Sequence, residues 1–326
     1  MATHTDLDED QKTWVLNVTR VLGTAAPHPK RRYEGILQLG EVRVAFQDHP
    51  VDAAERAHRR ALILPREHGA WGLLLVPLVT GAGVGFLTSS RVVPFLLLLI
   101  AALSLFWLRT PVESLLGGAA MRARTAEERR AVGIAIAYLA AIAVLALGGL
   151  LWAGRNPALW IVGGIAATAL VGQSQLRKRH ARMPAEIVGT IGLTASAPAA
   201  YYVITGDFGP IAWMLWLANL IFAGDQIHYV QLRIHAAKIN GLRDKLARGW
   251  AFATGQALLT AALTIACVGG LLPRFASLAF APILFRGWFY FIQKPGPLSV
   301  RRLGWSELGH AVTFCILLIV SFAIAG

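Results

Sequence analysis

Cysteine is almost missing from this chain of 326 residues, and the two that occur, Cys267 and Cys315, lie inside long apolar runs. That placement excludes a disulfide framework and a thiolate metal site, and leaves both as packing residues. Residues 1–62 lack the apolar stretch that a secretory signal needs, so this polar, mixed-charge segment is expected to stay in the cytoplasm. What the sequence has in excess is hydrocarbon. Apolar residues make up 56% of it and its mean hydropathy is +0.54, against about 45–50% apolar for an ordinary soluble domain. The expected class is therefore all-α, a polytopic membrane bundle.

Nine apolar runs follow residue 64, at about 69–88, 92–108, 131–153, 157–174, 185–204, 210–230, 250–270, 273–292 and 307–325. Each approaches the roughly 20 residues that cross about 30 Å of hydrocarbon as a helix. Helices are the expected form, because a backbone in lipid must satisfy its own polar groups. The chain thus divides into a small cytoplasmic segment, 1–63, and a transmembrane domain, 64–326. Inside the first, 36–46 alternates in the manner of a hairpin and 51–62 suits a helix.

The net charge of +13 does not imply nucleic acid, because the basic residues fall between the apolar runs. Seventeen Lys and Arg lie in the loops after the second, fourth, sixth and eighth runs. Only Arg91, Arg155 and Arg274 lie in the loops on the other side. The positive-inside rule then puts the amino terminus in the cytoplasm and the carboxyl terminus outside an inner (cytoplasmic) membrane. Two local patterns read as helix starts: Thr110-Pro111-Val112-Glu113, expected to open an interfacial helix over 111–122, and Thr125-Ala126-Glu127-Glu128.

Ionisable residues at the ends of the runs collect, on this topology, toward the cytoplasmic side: Arg66, Glu67 and His68 before the first, Arg109 and Glu113 after the second, Glu186 at the fifth, Asp225, His228, Tyr229 and Arg233 at the sixth, Arg286 in the eighth, Glu307 and His310 at the ninth. Charges at the edge of hydrocarbon are costly unless paired or functional, and a cytoplasm-facing polar cavity would satisfy them together. Asp225, His228, Tyr229 and Arg233 share one helical face. The residues leave alternatives open. Asp225 either lines a site or simply pairs with an Arg or His across the bundle, Arg286 either snorkels or turns inward, and Glu113 and Glu307 are also explained as helix-start residues.

The string Pro65-Arg66-Glu67-His68-Gly69-Ala70-Trp71-Gly72-Leu73-Leu74 with Val76-Pro77 resembles the signature of the YwiC-like family of bacterial membrane proteins, from about residue 64 to the carboxyl end. The helix count, with longer connections after the second and sixth runs, is in turn similar to the UbiA superfamily of intramembrane prenyltransferases. That second resemblance implies an isoprenoid diphosphate substrate, with Asp225 and Glu113 as catalytic Mg²⁺ ligands. Arg66, Glu67, His68, Arg109, His228, Tyr229, Arg233 and Arg286 would bind the substrate. Paired aspartates are missing at both places, which is a departure from that pattern, since Mg²⁺ needs an octahedron of oxygens. The alternative is a transporter or binder of a small anion or lipid headgroup, with the bilayer as partner and the first run, holding Pro77, Gly81, Gly83 and Gly85, as the interrupted helix.

Overall fold

A computed structural model describes residues 50–64, 68–116, 122–155, 157–179, 182–236, 239, 241–269, 275–293 and 299–325. The chain divides between Ala54 and Glu55, and nearly everything described belongs to the unit Glu55–Gly326. The expected hairpin at 36–46 lies outside the described residues, as does most of the segment 1–63. The elements, in chain order, are α1 (Pro50–Ile63), α2 (His68–Phe86), α3 (Val92–Leu116), α4 (Ala126–Trp152), α5 (Pro157–Lys178), α6 (Arg182–Thr194), α7 (Ser196–Thr205), α8 (Pro210–His235), α9 (Leu242–Val268), a 3₁₀ turn (Ala276–Phe280), α10 (Ala281–Ile292) and α11 (Val300–Ala325). No strand occurs among the described residues.

Among the described residues, six helical stretches are long and apolar enough to cross a membrane: Val92–Leu116, Ala126–Trp152, Pro157–Arg177, Met183–Thr205, Leu242–Val268 and Val300–Ala325. Two of the other three expected crossings are shorter apolar helices, Trp71–Phe86 and Ala276–Ile292. The third, α8, is 26 residues long but dilutes its apolar content with Asn219, Asp225, Gln226 and His228.

The hub is Met183–Thr205, 67% buried where the other five stretches are 17–28% buried. It is also where the interruption falls. The expectation placed a break in α2, yet α2 runs helically through Pro77, and it is the fifth run that divides, at Ala195, into α6 and α7. A proline removes one helix bond, and in the turn beside it Ser196 Oγ donates to the Leu74 carbonyl at 3.1 Å. Neighbouring hydroxyls of this kind make proline tolerable inside a membrane helix.

Helices in lipid gain little from the hydrophobic effect and associate through close backbone approach. At Gly81 a Cβ would stand 2.0 Å from the Ala197 carbonyl oxygen, and at Gly83 it would stand 2.4 Å from Ile319 Cδ1. These glycines seat α2 between α7 and α11. Ser89 Oγ, donating to the Ile204 carbonyl at 3.1 Å, pins the far end of the α2–α7 pair.

The second sequence pattern is a capping box as expected. Thr125 accepts from the Glu128 amide at 3.1 Å, and Glu128 accepts from the Thr125 amide at 3.1 Å. Thr125→Ala should cost about 1 kcal/mol, read as faster hydrogen exchange in the first turn of α4 with little change elsewhere. The first pattern is not a helix start. Thr110 and Pro111 lie inside α3, which continues to Leu116, and Glu113 pairs with Arg109 at 2.8 Å, one turn back. A Thr-Pro-x-Glu string is a local signal, and it loses to a preceding helix that has no reason to stop.

Candidate functional site

Four helices each contribute one polar residue to a single buried cluster. Arg286 of α10 donates through Nη2 to Asp225 Oδ2 of α8 at 2.5 Å, and through Nη1 to Glu307 Oε2 of α11. Gln256 of α9 donates to the remaining oxygen of Asp225, Oδ1. The Arg286, Asp225 and Glu307 side chains are 7%, 7% and 6% exposed. The guanidinium also stands 4.0 Å over the ring of Tyr229, one turn after Asp225.

Local sequence makes this possible. Gly287, beside Arg286, leaves the space that Gln256 occupies, since a Cβ there would stand 2.7 Å from the Gln256 side chain. Gln226 Nε2 donates to the Glu307 carbonyl at 3.1 Å and fixes α8 to α11. The apolar floor beneath is the stack of Phe222 on Phe314, centroids 4.2 Å apart, with Phe280 edge-on.

Two carboxylates share one guanidinium, so the ionised cluster carries one surplus negative charge. Among the described residues, Arg286 Nε, Glu307 Oε1 and Gln256 Oε1 are buried without a hydrogen-bond partner. Burying charges costs more than a pair returns unless every remaining polar atom is satisfied, so a plain apolar core would be the more stable solution. An ionisable cluster kept inside a membrane bundle at that cost is a candidate functional site by default.

Of the residues singled out from sequence, the structure unites Asp225, Tyr229, Arg286 and Glu307. Arg233 lies one turn further along α8, its guanidinium 5.7 Å from the centroid of Tyr290. His228 packs edge-on against Phe252, centroids 5.4 Å apart. Arg109 and Glu113 are on α3, outside the four helices of the cluster, and pair with each other. Arg66, Glu67 and the side chain of His68 lie outside the described residues. Arg286 turns inward to Asp225, the inward alternative, and Asp225 is paired as well as placed.

Gln256 was not singled out from the sequence, and Glu307 was also open to a bland explanation. Glu307 follows Ser306 and read as a cap, but α11 begins two turns earlier, at Val300. Gln256 carried a usable signal, a lone amide inside an apolar run. Among the described residues no group of three or more His, Cys, Asp and Glu is placed to hold a metal ion.

Apolar membrane-length helices packed through small residues, with a charge cluster buried among them, define a multi-pass integral membrane protein. Residues 64–201 match the family model described as YwiC-like protein, so the chain carries the YwiC-like pattern from just before α2 to the middle of α7. The match does not extend to the carboxyl end as the resemblance suggested, and the Asp225–Arg286–Glu307 cluster lies wholly beyond it. No curated protein and no solved structure matches the chain.

Proposed function

We propose that the chain is a nine-crossing, UbiA-like inner-membrane bundle, amino terminus inside and carboxyl terminus outside, that binds or passes a small anion or lipid headgroup at a polar site open to the cytoplasm. The observation that carries this reading is Arg286, buried between two acids and still holding an unpartnered Nε. A guanidinium shared in this way is a gate: an anion that reaches it replaces one carboxylate, and a proton taken up by the displaced acid keeps the charge balanced. Arg serves here better than Lys, because its planar fork holds two partners at once. The three crossings beyond the six long apolar helices are α2, α8 and the 3₁₀ turn with α10. At 1.5 Å per residue the 26 residues of α8 reach about 39 Å, enough to span.

The prenyltransferase reading has less support. It requires Asp225 and Glu113 to hold Mg²⁺ for an isoprenoid diphosphate. Both Asp225 oxygens are already engaged, by Arg286 and Gln256, and Glu113 is engaged by Arg109. That donor set does not fit an octahedral Mg²⁺ cage.

The test is mass spectrometry of ligand that co-purifies with the protein in native lipid, for wild type, Arg286→Lys and Asp225→Asn. Arg286→Lys keeps the charge but loses the fork, and should retain about ten-fold less anionic ligand, one charge-assisted hydrogen bond in affinity. Asp225→Asn removes a competitor for the guanidinium and should retain more. Equal content in all three would remove the cluster from the site.

A further inference from the structure

One turn beyond the buried cluster, two cations share a single aromatic ring. Arg233 of α8 and Lys245 of α9 lie 5.7 Å and 5.0 Å from the centroid of Tyr290, close enough to repel each other. Among the described residues neither has an ion-pair partner. Lys245 is accounted for in part, because its Nζ donates to the Tyr290 carbonyl at 3.1 Å and the Gln293 carbonyl at 2.5 Å, closing the last turn of α10. Arg233 makes no such bond among the described residues, and the Tyr290 hydroxyl is buried with no hydrogen-bond partner among them.

The kink at Gly249 (φ −104°, ψ 19°) separates the two jobs of α9. Gln256, beyond it, serves Asp225, while Lys245, before it, sits against Tyr290. A Cβ at Gly249 would press on Leu232 and Phe291 at 3.2 Å each, so glycine lets the helix pack closely there.

We infer that Arg233, Lys245 and Tyr290 form a binding site for a phosphate group, monoester or diphosphate, at the entrance to the buried cluster. Two cations with no acid partner among the described residues call for a dianion, and phosphate carries about −1.5 to −2 charge at neutral pH where a carboxylate carries one. Arg233 supplies the planar fork, Lys245 a point charge with one N–H to spare, and the phenol a further donor. This deepens the anion reading above by naming ligand chemistry and entrance; it does not depend on exchange at Arg286. The same chemistry fits a free phosphate or a lipid headgroup.

The test uses the purified full chain in two arms. Inorganic pyrophosphate binding is measured in detergent by calorimetry, and thermal stabilisation is measured in nanodiscs containing phosphatidic acid against phosphatidylcholine alone. Arg233→Gln should weaken whichever probe binds by about ten-fold or more, and Arg233→Lys should recover part of the loss. Dependence on Arg233 in the nanodisc arm identifies a lipid phosphate, and in the detergent arm alone a free one. The half-buried position of Arg233 lets both variants fold, which a retained melting temperature checks. If neither probe distinguishes Arg233→Gln from wild type, the site is overturned, whatever the co-purification experiment with Arg286→Lys returns.

Discussion

Replacing Arg286 with methionine is expected to destabilise the bundle by about 3–5 kcal/mol, the cost of breaking a buried ion pair from one side. The substitution keeps an unbranched side chain of comparable length, so lost packing is a small part of the effect. Its weight comes from what remains. Asp225 and Glu307 would face each other as acids at 7% and 6% side-chain exposure, with Gln256 the one remaining hydrogen-bond donor to either carboxylate among the described residues. Tyr229 would also lose the cation over its ring. The readout is the melting temperature in a fixed detergent. Arg109→Met, at an ion pair whose side chains are 16% and 34% exposed, gives the scale of a partly solvated pair, expected within about 1 kcal/mol of wild type.

The second large effect is expected at Gly81. Alanine there would bring its Cβ to 2.0 Å from the Ala197 carbonyl oxygen, with the Ala197 carbonyl carbon at 2.8 Å. Both are backbone atoms, and backbone cannot step aside as a side chain can. Relief requires α2 to move off α7, against the two hydroxyl bonds, Ser196 to Leu74 and Ser89 to Ile204, that hold the pair at either end. A loss of about 3 kcal/mol follows, at the upper end of overpacking costs. Gly133→Ala is the control. Nothing lies within 4 Å of a Cβ at that position on α4, so helix propensity should raise stability by about 0.5–1 kcal/mol.

Much of the helical layout was legible because it depends on local pattern. Apolar runs between basic loops mark membrane helices, and Thr125 with Glu128 marks a helix start whatever surrounds it. The same kind of signal failed at Pro111 and at Ser306-Glu307, where a helix begun upstream continues through residues that would otherwise open one. The break at Ala195 was hidden for a related reason: α2, richer in glycine, looked weaker, but its glycines serve packing against α7 and α11 rather than flexibility.

The site was legible only in part. Asp225 and Arg286 stand out as charges in apolar runs, and sequence alone could pose their pairing as one alternative among several. Glu307 and Gln256 joined them through contacts across 21 and 31 positions of chain, a separation no periodicity reaches. The space that Gly287 leaves for Gln256 belongs to the same class of fact, since it exists only once two helices have met.

The most direct test of the central claim, that Asp225, Arg286 and Glu307 act as one buried electrostatic unit, is the melting temperature of the triple variant Asp225→Asn/Arg286→Met/Glu307→Gln beside the three single ones. Neutralising all three charges together should bring stability back to within about 1 kcal/mol of wild type, as removal of a whole buried ionic group does where removal of one member does not. Losses that simply add across the three substitutions would show three independent side chains and contradict the account.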